Sequence, residues 1–170
     1  VEAVNLTGTA NDDTFNMNDN EANSIDGGAG QDSYIVDPAT TEDLFVDLDT
    51  TNTGTVSDLN GATFATDNLT NVENITTGGG NDEFDIDTIQ NRTLDGAGDT
   101  TGDVYNFGVD GVAPNVIVDG TGANPTITDT TTGNVDDLLN FEEIRSDSGD
   151  DTFVFGTTSG ITLNAEDEQT

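Results

Sequence analysis

The stretch Gly27-Gly28-Ala29-Gly30-Gln31-Asp32-Ser33-Tyr34-Ile35 joins a glycine-rich turn to a short strand that carries one large apolar side chain. Glycine adopts backbone conformations that are closed to other residues, so a turn of this composition can direct carbonyl oxygens towards one point. Asp32 adds a charged oxygen, and calcium prefers carboxylate and carbonyl ligands of this kind. The stretch therefore predicts a cation-binding turn that is anchored by a β-strand.

A period of 69 residues runs through the chain. Ser24-Ile25-Asp26 recurs as Thr93-Leu94-Asp95 and as Thr162-Leu163-Asn164, and Asn71-Val72-Glu73-Asn74-Ile75 recurs as Asn140-Phe141-Glu142-Glu143-Ile144. A fixed period of this length indicates a repeat architecture. We expect one continuous stack of units with boundaries at 1–69, 70–138 and 139–170.

Large apolar residues follow one another at intervals of nine to eleven residues, as in Leu6, Phe15, Ile25 and Tyr34. Each lies in a short Thr-rich or β-branched stretch after a polar turn, and no helical period connects them. Strand-like stretches separated by turn residues also occupy 36–70 and 106–139, as expected of hairpins or longer turns. The pattern predicts an all-β fold, a parallel β-roll or β-solenoid in which stacked units bury the apolar row.

Four looser copies of the glycine-rich loop occur, beginning at Gly8, Thr77, Asp95 and Ser146. The copies at Gly8 and Ser146 keep the aspartate and the apolar anchor but lack glycines, and the copy at Asp95 carries an insert of three residues. The predicted calcium ligands in the five loops are Asn11, Asp13, Gly28, Gly30, Asp32, Gly78, Gly80, Asp82, Gly96, Gly98, Asp99, Asp103 and Asp151. A single loop of this composition can also be a plain turn.

The spacing of the loops predicts how they stack. The loops at Gly8 and Gly27 begin 19 residues apart, and those at Thr77 and Asp95 begin 18 apart. If two strands and two loops return the chain to its starting side, the members of each pair lie directly on one another. Asn23, Arg92 and Ile161 take the place of Asp32 in the intervening turns, so we expect the calcium loops to lie mainly on one side.

These loops resemble the RTX, or hemolysin-type calcium-binding, repeat family. The stretches Asn71-Val72-Glu73-Asn74-Ile75-Thr76 and Leu44 to Leu48 also resemble segments that join RTX blocks in large secreted bacterial proteins. The resemblance implies a parallel β-roll that binds several Ca²⁺ ions outside the cell, after export by a type I system in many members. It carries the ligand role most directly to Asp32 and Asp82.

Composition narrows the possible partners. The chain carries 35 acidic residues against two basic ones, a net charge of -33, and this argues against binding to nucleic acid or an anionic membrane. Of the acidic residues 26 are Asp and nine are Glu, a bias that suits turns and tight oxygen cages. No apolar run approaches the length of about 18 residues that spans a bilayer. A salt-adapted acidic surface is the alternative explanation of the charge.

Three classes of function fit these features to different degrees. The leading hypothesis is a calcium-rigidified structural or interaction module of a surface adhesin, surface layer or filament, which self-associates into a fibre or layer or stacks on neighbouring repeats. The alternative is a calcium-dependent secretion or folding tail of a type I exported enzyme. An enzyme in its own right is not expected, because the chain has no Cys or His and no nucleophile motif. A glycan is a further candidate partner.

The predicted mechanism couples folding to calcium binding. Carboxylate repulsion keeps the chain extended at low calcium, and ions between stacked loops allow the apolar row to close. Glu73 and Glu142 recur between apolar neighbours, and we expect packing or hydrogen-bonding roles for them. Asp32→Ala and Asp82→Ala should weaken the calcium response more than Asp43→Ala, because Asp43 is expected to lie outside the loops.

Overall fold

The fold is all-β. A computed structural model of the chain describes residues 3–18, 21–49, 52–61, 64–97, 102–108, 115–146, 150–156 and 160–165. Within these ranges there are strands and turns but no helix. The strands are β1 (Asn5–Thr7), β2 (Thr14–Met17), β3 (Ser24–Asp26), β4 (Ser33–Val36), β5 (Leu44–Leu48), β6 (Thr53–Asp58), β7 (Asp67–Thr70), β8 (Asn74–Thr76), β9 (Glu83–Ile86), β10 (Thr93–Asp95), β11 (Val104–Phe107), β12 (Val116–Gly120), β13 (Thr126–Asp129), β14 (Val135–Leu139), β15 (Glu143–Ser146), β16 (Thr152–Phe155) and β17 (Thr162–Ala165).

The strands form two mixed sheets. Sheet I has nine strands in the order β1-β3-β7-β6-β5-β9-β11-β15-β17, and sheet II has eight in the order β16-β12-β13-β14-β10-β8-β4-β2. Most neighbouring strands are parallel, and the antiparallel pairs are β5–β6, β6–β7, β12–β13 and β13–β14. All strands of a sheet therefore run in one direction except β6 in sheet I and β13 in sheet II.

The apolar row predicted from the sequence forms the core between the two sheets. Leu6 pairs with Ile25, Tyr34 pairs with Ile75, and Ile75 pairs with Leu94 on adjoining strands. Ile25, Tyr34, Ile75 and Leu94 are buried, whereas Leu6 at the end of sheet I is half-buried. The side chains of a strand alternate between the two faces, so one large apolar residue in each short strand is enough to continue the row.

Two hairpin pairs supply the strand-rich segments. In β5 the residues Leu44, Val46 and Leu48 face the core, and the strand pairs antiparallel with β6, which pairs antiparallel with β7. The second unit repeats this with β12, β13 and β14. The stretch 136–139, which could at most have formed one helical turn, belongs to strand β14.

Each 69-residue unit contains five crossings between the sheets, because β5, β6 and β7 all stay in sheet I. The chain crosses at β1–β2, β2–β3, β3–β4, β4–β5 and β7–β8. Five is an odd number, so β1, β8 and β15, which are equivalent by sequence, lie in sheets I, II and I. Successive units therefore exchange sheets.

This exchange corrects the expectation that the calcium loops lie mainly on one side. We call the flank where the chain passes from sheet I to sheet II the first flank, and the opposite one the second flank. The loops at 8–13 and 27–32 lie on the first flank. The loop at 77–82 connects sheet II to sheet I and lies on the second flank, as do Gly96 and Asp103, which follow β10 and precede β11. The sequence pattern could not reveal this, because it does not show that β5, β6 and β7 share a sheet.

Candidate metal-binding loops

The paired loops stack directly, as their spacing predicts. On the first flank the Ala29 amide donates to the Thr9 carbonyl at 3.1 Å, and the Gln31 amide donates to Asp12 Oδ1 at 2.9 Å. On the second flank the Thr77 amide donates to the Asp95 carbonyl at 3.0 Å. Main-chain and carboxylate oxygens of one loop thus face the amides of the next.

The glycines of the loops have two physical roles. Gly28 and Gly30 have φ angles of 97° and 147°, which L side chains rarely adopt. Gly78 and Gly80 do not have positive φ, but a Cβ on either would overlap the Thr40 or the Glu42 carbonyl oxygen. The close approach between stacked segments therefore explains why positions 78 and 80 are glycines.

A ladder of carboxylates runs along the first flank. The Asp13 amide donates to Asp32 Oδ1 at 2.8 Å, and the Asp32 amide donates to Glu73 Oε2 at 2.9 Å. Asp13 Oδ2 accepts the Thr9 amide at 2.6 Å and its hydroxyl at 2.8 Å. Asp32 and Glu73 thus cap the main chain of the neighbouring layer, whereas Asp13 caps its own loop.

The second flank carries an equivalent ladder. The Leu44 amide donates to Asp82 Oδ1 at 2.7 Å, and the Asp82 amide donates to Asp103 Oδ1 at 2.8 Å. The Asp103 amide donates to Glu142 Oε2 at 3.1 Å. Asp32, Asp82 and Asp103 are all fully buried, so the structure treats these three predicted ligands alike.

Asp32 offers the clearest opening for a cation. Its side chain is 0% exposed, and Oδ2 has no hydrogen-bond partner among the described residues. A buried carboxylate oxygen without a partner is costly, so the site calls for a proton, a water molecule or a cation. Gly27 adjoins this oxygen: a Cβ there would lie 2.6 Å from Asp32 Oδ2 and would overlap the Asn71 carbonyl oxygen.

The remaining predicted ligands lie at other points of the two flanks. Asn11 is exposed, and its carbonyl faces Gly30. A Cβ on Gly96 would lie 2.5 Å from Asp103 Oδ2, so this glycine adjoins the second ladder. Asp151 Oδ1 accepts the Val116 amide at 3.1 Å, as Asp82 does for Leu44. Gly98 and Asp99 lie outside the described residues.

No three acidic side chains converge on one point within the part of the chain that the structure describes. A cation at Asp32 would therefore take main-chain or solvent oxygens beside at most two carboxylates. Such mixed oxygen sets suit Ca²⁺, which accepts carbonyl and water ligands together with carboxylates. The donor set at Asp32 fits a calcium ion on chemical grounds.

Sequence reasoning placed Asp43 outside the loops, and the structure corrects this. Asp43 Oδ1 accepts the Asn81 amide at 2.9 Å, and Oδ2 accepts Asn60 Nδ2 at 3.2 Å. Asp43 therefore belongs to the stack beneath the loop at 77–82. The reason is that the turn before β5 occupies the layer next to that loop, which the spacing of the glycines does not show.

Glu73 and Glu142 have the hydrogen-bonding role that was expected of them, and their motif pins the loops in a second way. Asn71 and Asn140 adopt φ angles of 52° and 57°, and each donates its side-chain amide to an aspartate, Asp26 Oδ1 at 2.9 Å and Asp95 Oδ1 at 2.7 Å. The recurring Asn-x-Glu pattern thus fixes both ends of a loop.

Sequence reasoning missed a second buried cluster. Asp136 Oδ1 accepts the Arg92 amide at 3.0 Å, and Oδ2 accepts the Tyr105 hydroxyl at 3.0 Å. Arg92 is 1% exposed and donates to the Thr88 carbonyl at 2.8 Å. Burial raises the pKa of Asp136 although the Arg92 charge lowers it, and burial also raises the pKa of Tyr105 well above its ordinary value.

The first unit contains a counterpart of this cluster in which Asn23 takes the place of the positively charged Arg92. Asp67 Oδ1 accepts the Asn23 amide at 2.7 Å, and Oδ2 accepts the Tyr34 hydroxyl at 2.6 Å. Asp67 and Asp136 lie 69 residues apart, and the chain has only two tyrosines. The repeat of this aspartate at the 69-residue period, together with one tyrosine in each unit, is the sequence signal that could have predicted the clusters. The clusters tie the two sheets together across the core.

The sequence was compared with protein-family models and with curated proteins. Neither the protein-family models nor the curated proteins gave a match to the chain. Among the described residues, no helix is long and apolar enough to cross a membrane.

Proposed function

We propose that the chain is an extracellular, calcium-binding structural or interaction module of the RTX type, folded as a parallel β-roll or β-solenoid. It binds several Ca²⁺ ions in the stacked loops, and binding rigidifies a bacterial adhesin, surface layer or filament. The protein has no catalytic role in this proposal. Partners are other copies or neighbouring repeats, with a surface glycan as a further candidate.

The observation that carries the proposal is the buried carboxylate of Asp32, in a loop that stacks directly on another. Its Oδ2 has no hydrogen-bond partner in the part of the chain that the structure describes. The net charge of -33 supports it, because a compact polyanion needs counter-ions. The chain's two arginines do not meet this need at the loops. Arg92 lies beside Asp136, and Arg145 Nε bonds to Glu143 Oε1 at 2.9 Å.

The test is a calcium titration of the 170-residue chain by calorimetry, circular dichroism and light scattering. We expect calcium to increase the β-type circular dichroism and the melting temperature, and a chelator to reverse both. Asp32→Asn keeps an acceptor for the Asp13 amide but removes the charge, so it should weaken at least one calcium site by roughly tenfold or more.

The matched control is Asp137→Asn, which makes the same charge change on the exposed face of β14. It should leave the site affinities nearly unchanged, since screening reduces the effect of one distant surface charge. Equal calcium affinities for both variants and the unmodified chain would contradict a site at Asp32. Calorimetry separates this result from an effect on folding, which circular dichroism follows.

A further inference from the structure

In the part of the chain that the structure describes, the apolar side chains on the end strands of the two sheets are less covered than those inside. Within the described part of the chain, five partly buried apolar side chains pack against the core: Leu6, Phe15, Phe153, Ile161 and Leu163. All five lie on or beside the end strands β1, β2, β16 and β17. Their counterparts Ile75 and Phe84, which have a strand on both sides, are 0% exposed. Among the described residues, no further strand lies beyond these four to cover the end residues.

The two ends are complementary in sheet, direction and side chain. Sheet I ends in β1 and β17, which run the same way and place Leu6 and Leu163 on the core side. Sheet II ends in β2 and β16, which also share one direction and place Phe15 and Phe153 on the core side. Each end thus offers one leucine in sheet I and one phenylalanine in sheet II.

We propose that a second copy of the chain docks head to tail, with its β1 pairing parallel to β17 and its β2 pairing parallel to β16. Leu6 then lies beside Leu163, as it lies beside Ile25 within the chain, and Phe15 lies beside Phe153. Asn5 is opposite Thr162, following the register of the β1–β3 and β15–β17 pairs. Both sheets and both rows of the core continue through the junction.

Charge regulates this contact, and in this respect the inference rests on the proposed calcium binding. Two chains of net charge -33 repel one another at low ionic strength. Bound calcium lowers that charge, and concentrated salt screens it without occupying any site. Stacking should therefore appear either in millimolar Ca²⁺ or in about 1 M NaCl, where the Debye length is about 3 Å.

Disulfide trapping tests the register, because the chain has no cysteine of its own. Neighbouring strands lie about 4.8 Å apart, within the Cα separation that a disulfide spans. A mixture of the Asn5→Cys and Thr162→Cys chains should form a covalent dimer under mild oxidation in Ca²⁺ or 1 M NaCl. Each variant alone should form no covalent dimer, because head-to-tail stacking never brings two identical positions together.

The control pairs Thr7→Cys with Thr162→Cys, which are two residues out of register and about 8 Å apart at Cα, beyond the reach of a disulfide. This pair should crosslink at least about tenfold more slowly. Equal rates for the two pairs would overturn the register. A disulfide-linked dimer of the Asn5→Cys chain alone would instead show like ends meeting and would overturn the head-to-tail arrangement.

Two further variants test the core contact. Leu6→Asn places a polar side chain in the junction and should weaken association by at least about tenfold in sedimentation, whereas Thr7→Asn on the outward face should not. If calorimetry shows calcium binding but no crosslink forms, this inference fails and the proposed function stands. If crosslinks form in NaCl without calcium binding, stacking stands and the proposed function fails.

Discussion

Asp32 and Glu73 exchange hydrogen bonds across two stacked layers. The Asp32 amide donates to Glu73 Oε2 at 2.9 Å, and the Glu73 amide donates to the Asp32 carbonyl at 3.1 Å. Asp103 and Glu142 repeat the exchange at 3.1 Å in both directions. The reciprocal pair fixes the spacing between each loop and the Asn-x-Glu turn of the adjoining layer.

The first prediction concerns this pair. Glu73→Ala removes the acceptor of the buried Asp32 amide and of Asn52 Nδ2, so we expect a loss of about 1–3 kcal/mol in the free energy of unfolding. Glu73→Gln keeps an acceptor oxygen and should cost less than about 1 kcal/mol. Urea unfolding followed by circular dichroism measures both. Equal losses for the two variants would show that the hydrogen bond is not the cause.

The second prediction concerns the close approach at Gly27. A Cβ there meets the Asn71 carbonyl oxygen and Asp32 Oδ2, so Gly27→Ala should destabilise the fold by about 1–3 kcal/mol. Gly160→Ala is the control, because a Cβ at Gly160 meets nothing within 4 Å. We expect a lower melting temperature for Gly27→Ala than for Gly160→Ala, measured in the same buffer. A neutral Gly27→Ala would mean that the loops are less tightly stacked.

The third prediction compares the chain's only two basic residues. Arg92→Ala leaves the buried Asp136 without its nearby positive charge and should cost about 3–5 kcal/mol. Arg145→Ala removes a half-buried pair with Glu143, which solvent still screens, and should cost no more than about 1 kcal/mol. Chemical unfolding at pH 7 measures both losses. Similar values for the two variants would contradict the structural role assigned to burial.

The fourth prediction concerns pH. The pKa of Asp136 is raised from 3.8 in the folded state, so the folded state binds more protons than the unfolded one. The stabilisation that follows is fully present below the ordinary pKa and is lost as the pH rises through the raised value. Asn cannot titrate, so the unfolding free energy of the unmodified chain, minus that of Asp136→Asn, should fall as the pH rises above 4.

Urea unfolding at several pH values from about 4 to 7 checks this slope. Asp137→Asn makes the same charge change on the exposed face of the same strand, and it measures the general effect of removing one acid. A difference that rises with pH for Asp136→Asn would reverse the sign of the argument. A slope shared by both variants would assign the effect to net charge and not to burial.

Much of the fold could be predicted from the sequence, because one apolar residue in each short strand leaves few alternatives. The positions of Ile25, Tyr34, Ile75 and Phe84 predicted the strands, and the loop spacing predicted the stacking of Gly28 on Thr9. These are local properties of periodic sequence. They depend on residues that are near in the chain or repeat at a fixed interval.

The predictions that failed depended on long-range pairing. Asp43 contacts the loop at 77–82 because the turn before β5 lies beside that loop. The hydrogen bond between Asn81 and Asp43 joins residues that are 38 positions apart in the chain. Nothing in the local sequence around Asp43 distinguishes it from an ordinary turn residue. The Tyr105–Asp136 bond joins opposite sheets and was missed for the same reason.

Because each unit crosses between the sheets five times, the sheet in which a strand lies depends on whether an odd or an even number of units precedes it. Deleting or duplicating one 69-residue unit would move every later glycine-rich bend to the other edge of the molecule and every later strand to the other face. Only changes by an even number of units leave those positions where they were. Recombination between repeats would therefore conserve the pattern in steps of 138 residues, although the sequence repeats every 69.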